Sequence, residues 1–208
     1  MPGSSDKELT RDDASLSQEL PKEVFQGDLK GQDVIVCDEK AVEAFTTRGY
    51  GFREWGCVRL TLLEAAYLVY RGFLIVKDDM GGEKNFESLV SMGSSLDPDF
   101  WTRLNVYADL RNRALIAQPG VQSQEFLLDW KRKDKAKRYL VRIVREGSRL
   151  SFREFEEMFR RALESDRELV VAIVDKEGVI SYYIVEGVLR EGLPEVEGSD
   201  EVSLEQEG

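Results

Sequence analysis

Residues Leu169 to Val174 read Leu-Val-Val-Ala-Ile-Val, an almost unbroken β-branched and apolar run. A chain that carries such a run must supply a sheet able to bury it, so the run predicts a strand covered on both faces. Asp175-Lys176-Glu177-Gly178 then brings turn chemistry, and Val179 to Val185 resumes as a second β-branched and aromatic run. Two strands separated by a short loop ending in glycine predict a hairpin.

The rest of the chain alternates short strands and helices. Asp33 to Cys37 reads as a strand, Asp38 as the cap of a helix reaching Phe45, and Cys57 to Leu60 as another strand. Thr61 and Glu64 make a capping box for a helix that stops at Gly72, with Leu63, Ala66, Tyr67 and Tyr70 on one apolar face. Phe73 to Val76 follows as a strand, and residues 83–96 hold an apolar segment of no clear period. A boundary is expected between Gly93 and Asp97. Asp97-Pro98 predicts a helix start, with Phe100, Leu104, Tyr107 and Leu110 lining its inner face. Phe126 to Asp129 and Tyr139 to Val144 read as strands on either side of the basic run WKRKDKAKR. Ser151 and Glu154 form a second capping box, whose helix places Phe152, Phe155, Phe159 and Leu163 on one side as core. The pattern predicts an α/β (α+β) protein of two small mixed domains, residues 27–94 and 95–192, between polar tails at 1–26 and 193–208 that lack the pattern of ordered structure.

Charge is concentrated outside the expected body. The chain carries a formal charge of -11, yet residues 1–26 hold six acids and three bases, and residues 193–208 six acids and no base. Residues 27–192 therefore carry only -2, which leaves nucleic-acid binding open. No stretch approaches the ~20 apolar residues of a membrane helix and the N-terminus lacks a signal-peptide core, so a cytoplasmic protein is expected. Cys37 and Cys57 make neither a metal site nor a disulfide framework; in a reducing cytosol they read as two buried thiols, with their pairing left open. The chain contains no histidine, which removes imidazole acid–base catalysis, imidazole metal ligation and serine–histidine activation.

The words VVAIVDKEGVISYYIV, LTLLEAAYLVYRGFLIV and VYADLRNRALI resemble the archaeal tRNA-splicing endonuclease family in its C-terminal strand pair, its N-terminal helix and the opening helix of its C-terminal, nuclease-like domain. The likeness spans about residues 30 to 190. Catalytic members are understood to cleave RNA without metal or other cofactor, using a tyrosine as base, a histidine as acid and a lysine against the charged phosphorane, a sensible division for an in-line displacement. The tyrosine closes a strand matched by Glu125-Phe126-Leu127-Leu128-Asp129, so Asp129 takes its place. The histidine lies three residues before Tyr139-Leu140-Val141, at Ala136, and the lysine eight before Asp175, at Arg167. The resemblance thus implies a chain that is no enzyme by itself: a structural subunit, assembled two plus two with a catalytic subunit on precursor tRNA.

In such assemblies the loop of the last hairpin docks into a partner, and Asp175, Lys176, Glu177 and Gly178 match that loop. Tyr182, Tyr183, Ile184 and Val185 match the strand that pairs across the subunit interface, and an edge this apolar needs a cover. Lys131, Arg132, Lys133, Lys135, Lys137 and Arg138 are equally a solvated loop or a set of cations for RNA phosphates. Two other readings stand beside this one. Asp129-Trp130-Lys131 matches the D-x-K fragment of metal-dependent nucleases, and a solitary RNA-binding protein would share the basic run.

Overall fold

The computed structural model describes residues 23–132 and 135–185, with the side chains of residues 131, 132 and 135 left aside. The expected tails lie outside these residues except for 23–26, where ordered structure starts ahead of Gly27: strand β1 spans Phe25–Lys30. It is followed by β2 (Asp33–Val36), α1 (Glu39–Thr47), β3 (Phe52–Glu54), β4 (Cys57–Thr61), α2 (Leu62–Tyr70), β5 (Leu74–Lys77) and β6 (Glu83–Lys84). These strands make a sheet in the order β3-β4-β2-β1-β5-β6, antiparallel except for the β1–β5 pair. Then come α3 (Phe86–Leu96), α4 (Phe100–Asn112), β7 (Ile116–Pro119), β8 (Glu125–Arg132), β9 (Lys135–Arg145), α5 (Phe152–Glu164), β10 (Glu168–Val174) and β11 (Ile180–Val185). The second sheet runs β11-β10-β9-β8-β7, with β9 and β10 parallel.

Local chemistry places most of the helices. The Asp38 carboxylate accepts the Ala41 N–H at 2.9 Å and starts α1. Both capping boxes form, at Thr61 with Glu64 and at Ser151 with Glu154. The apolar segment of no clear period is α3, capped by Asn85. At Asp97-Pro98 the helix starts later than predicted: Asp97 accepts the Asp99 N–H at 2.9 Å in a turn, and α4 begins at Phe100. Gly93 is required here, because a Cβ at that position would come within 2.4 Å of the Phe100 ring.

Tertiary packing changes three expectations about faces. Helix α2 is buried from Leu62 through Leu68, on every side rather than along one stripe, while Tyr70 is 65% exposed. It is enclosed because the first sheet takes one flank, and α3 and α4 take the other. On α5 the residues facing the sheet are Phe155, Met158, Phe159 and Ala162, whereas Phe152 is 82% exposed. Strand β10 is covered on both faces only at its α5 end, where Leu169 is buried; its opposite face, Val170, Ala172 and Val174, enters the main core. That main core runs without a break from Phe25 to Val174, so side chains from both sheets share it.

Cys37 and Cys57 are joined in a disulfide, correcting the reading of two buried thiols. Antiparallel β2 and β4 pair Val36 with Val58, so the next step of the register sets Cys37 opposite Cys57, with Cα atoms 4.1 Å apart. Cys37 is exposed rather than buried. The bridge closes a loop of 20 residues' separation. Reduction is therefore expected to lower stability by about 3 kcal/mol, seen as a fall in Tm on adding dithiothreitol that the Cys37→Ser, Cys57→Ser variant does not show.

Candidate functional site

The three positions carried over from the resemblance fall at the outer end of the second sheet. Asp129 on β8 lies opposite Arg138 on β9, and Lys131 lies opposite Ala136. Arg167, just before β10, is brought onto this pair: its guanidinium donates to Asp129 Oδ1 at 2.8 Å and to the Leu128 carbonyl at 3.0 Å. The Arg167 side chain is only 7% exposed. Arg138 approaches Asp129 at 3.6 Å and Asp166 at 3.5 Å. Ala136 is exposed on the same face of the sheet as Arg138 and contributes a methyl group. The fold thus unites Asp129 and Arg167 and leaves Ala136 further out on the arm. For the D-x-K reading, Asp129 is a single carboxylate already engaged by two arginines. Among the described residues no three His, Cys, Asp or Glu side chains converge to hold a metal.

The basic run is a strand pair rather than a loop. Strand β8 continues to Arg132 and β9 starts at Lys135, pairing Trp130 with Lys137 and Arg132 with Lys135. The side chains of Lys131, Arg132, Lys133 and Lys135 lie outside the described residues. Of the remainder, Lys137 is 3.2 Å from Glu168, a hydrogen bond that raises its pKa and keeps it charged. Arg138 is shared between two aspartates.

The last hairpin is docked on α4 and faces outward at its edge. Asp175 Oδ1 accepts the Val179 N–H at 2.8 Å, and Gly178 takes the left-handed φ of 84° that closes the turn. Asn105 of α4 donates to the Gly178 carbonyl at 2.8 Å. Lys176 and Glu177 are exposed and pair with each other at 3.5 Å. Tyr182 turns inward and donates its hydroxyl to Asp109 at 2.8 Å; burial first, and that carboxylate second, hold its phenol above the tyrosine range. Val185 packs against the α5 cluster. Tyr183 and Ile184 are 56% and 43% exposed, on a strand whose outer edge pairs with nothing among the described residues.

Arg111 is the residue that sequence reasoning passed over. It is 5% exposed and donates to the carbonyls of Arg48 at 2.8 Å, Gly49 at 2.6 Å and Ala117 at 2.8 Å, and to the Tyr107 hydroxyl at 3.1 Å. Its guanidinium stands 3.9 Å over the Tyr50 ring, whose phenol is pushed up to about 12 by burial although Arg111 pulls it down. Glu64 grips the same loop from α2, accepting the Gly51 N–H at 2.8 Å. The signal lay in the Asp-Leu-Arg of the α4 ending, where an arginine sits one position after the buried Leu110.

Residues 25–90 match the family model described as "tRNA intron endonuclease, N-terminal domain", and residues 100–182 the one described as "tRNA intron endonuclease, catalytic C-terminal domain". The chain is 32% identical over 168 residues to the tRNA-splicing endonuclease of Pyrococcus abyssi, covering 80% of this chain and 98% of that protein. It is 33% identical over 163 residues to that of Thermococcus kodakarensis, covering 77% and 96%. The tRNA-splicing endonuclease of Methanococcus vannielii is 28% identical over 166 residues, covering 78% and 94%. These findings overturn the expectation that the chain is no enzyme by itself, because its C-terminal half matches a catalytic domain and its relatives are named endonucleases. The missing imidazole restricts which groups can move a proton and does not take the chain out of an enzyme family. With both halves matched in order and nearly the whole length of its relatives covered, the chain belongs to the tRNA intron endonuclease family.

Proposed function

We propose that the chain acts in removing introns from precursor tRNA, as a subunit of a tRNA-splicing endonuclease assembled two plus two with a second chain. The match of both halves to tRNA-splicing endonucleases carries this reading. Among the described residues nothing covers the edge of β11, which supports the assembly, since Tyr183 and Ile184 give a partner an apolar strand to cover. In that assembly the β10–β11 hairpin positions the partner, with Asp175, Lys176, Glu177 and Gly178 as its docking loop. The β8–β9 arm, with Lys131, Arg132, Lys133, Lys135, Lys137 and Arg138, holds RNA phosphates.

The test combines sedimentation with cleavage of an intron-containing precursor tRNA. Mixed with an endonuclease chain of the same family, the protein is expected to form a four-chain species that cuts at the intron boundaries. No co-sedimentation with such a chain would end the two-plus-two reading. The pH profile adds a second check. Cleavage by this chain alone should show no limb near the ordinary histidine pKa of about 6.5, because it has no histidine, and such a limb should enter only with a histidine-bearing partner.

A further inference from the structure

Trp55 sits where the fold has least use for it. It is 95% exposed, at the tip of the β3–β4 hairpin, and its φ of 51° lies in the left-handed region. Gly56 follows with φ 82°, so both central residues of this two-residue turn have positive φ. Such turns favour Asn-Gly, Asp-Gly or Gly-Gly, and a bulky side chain at the first position is strained. The ring returns no packing for that strain. Strain of this kind, held at an exposed position, points to function.

The hairpin beneath the ring is built to hold it still. Two residues from Trp55, Cys57 is tied to Cys37 on the neighbouring strand. Arg59 on β4 bridges Glu54 at 3.1 Å and Asp33 at 3.4 Å, locking β3, β4 and β2 together on their outer face. Arg53, two residues before Trp55, is exposed and has no acidic partner among the described residues. Phe52, opposite Arg59, is 52% exposed.

We propose that Trp55 is a stacking platform for an unpaired nucleobase of single-stranded RNA, with Arg53 taking an adjacent phosphate. A base needs one open ring face and a nearby cation, and both are present on a rigid arm. The alternative occupant, a protein, fits less well: a hot-spot tryptophan needs well-packed apolar surroundings, and along the exposed β3 arm the ring is flanked by Arg53 and Glu54, with Phe52 as the one apolar side chain. The platform lies on the first sheet, apart from the β8–β9 arm. It deepens the RNA-handling part of the proposed function and rests on it.

The decisive variant is Trp55→Asn, because asparagine is the residue the turn prefers. It should keep or raise Tm while weakening RNA binding, opposite signs that a structural role for the ring cannot produce. With an oligouridylate single strand and the full chain, Kd is expected to rise about 5- to 100-fold, and Trp55→Phe should restore most of the affinity. Arg53→Gln should reduce the salt slope of binding by about one ion. In a variant with Trp101→Phe and Trp130→Phe, the remaining Trp55 fluorescence should quench on adding the oligonucleotide. Equal affinity of wild type and Trp55→Asn for both the oligonucleotide and precursor tRNA overturns the platform while leaving RNA handling in place. Absence of RNA binding by the wild-type chain and its assembly overturns both. Loss of partner association with RNA affinity unchanged also overturns it, and makes the ring a protein contact.

Discussion

Replacing Arg111 with methionine is expected to cost about 3–5 kcal/mol, at roughly 1–3 kcal/mol for each acceptor left without its donor, a large share of the ~5–15 kcal/mol available to a domain. Methionine fills much the same space, so the loss is not a cavity. It arises because the carbonyls of Arg48, Gly49 and Ala117 lose their donor while staying buried against α4. Arg111→Lys should recover part of the loss only, since one ammonium cannot reproduce a fork aimed at three carbonyls and a tyrosine hydroxyl. Urea unfolding gives the magnitude through the midpoint at unchanged slope. Amide exchange gives the place, with protection failing first near residues 48–51 and 115–119. A cost below about 1 kcal/mol would show that water can replace the guanidinium, and that Arg111 does not hold the Arg48–Gly49 turn to β7.

The second large effect concerns assembly. Tyr183→Ser with Ile184→Ser should leave the monomer folded, because both side chains are already exposed. Covering the exposed half of each contributes about 0.7–1.5 kcal/mol, so association should weaken by about 10- to 10²-fold. Cleavage of precursor tRNA by the mixture should fall in parallel at low protein concentration, and added salt should not deepen the defect. Glu177→Lys is the contrast. It leaves the Asp175 carboxylate in its turn and changes a charge on the docking loop, so its smaller defect should vary with ionic strength. Wild-type association and cleavage by the serine variant would remove β11 from the interface.

The chain itself determined the features made by residues close together. Asp38, Thr61–Glu64 and Ser151–Glu154 cap helices through bonds spanning three residues, and they act in the fold as their spacing implies. The last hairpin is equally local, with its turn closed by Asp175 and Gly178. Family membership was legible for the same reason, since its words are runs of adjacent residues. The histidine count is also a property of sequence alone, yet it settled only which proton donor is missing; the match to a catalytic domain decided enzyme class against it.

Only tertiary structure decided what depends on partners far along the chain. Helix α2 looks one-sided by period and is buried all round because two later helices cover its other flank. The charged run looks like a loop by composition and is paired strand, because cross-strand hydrogen bonding outweighs local polarity. Cys37 and Cys57 look like separate thiols until the register of β2 and β4 sets them side by side. Asp129 and Arg167 are 38 residues apart and meet because β8, β9 and β10 stack in one sheet. Arg111 reaches carbonyls 62 and 63 residues back in the chain. Spacing along a sequence encodes period and caps; the partners of a buried charge are chosen by which distant segments the core brings within about 3 Å.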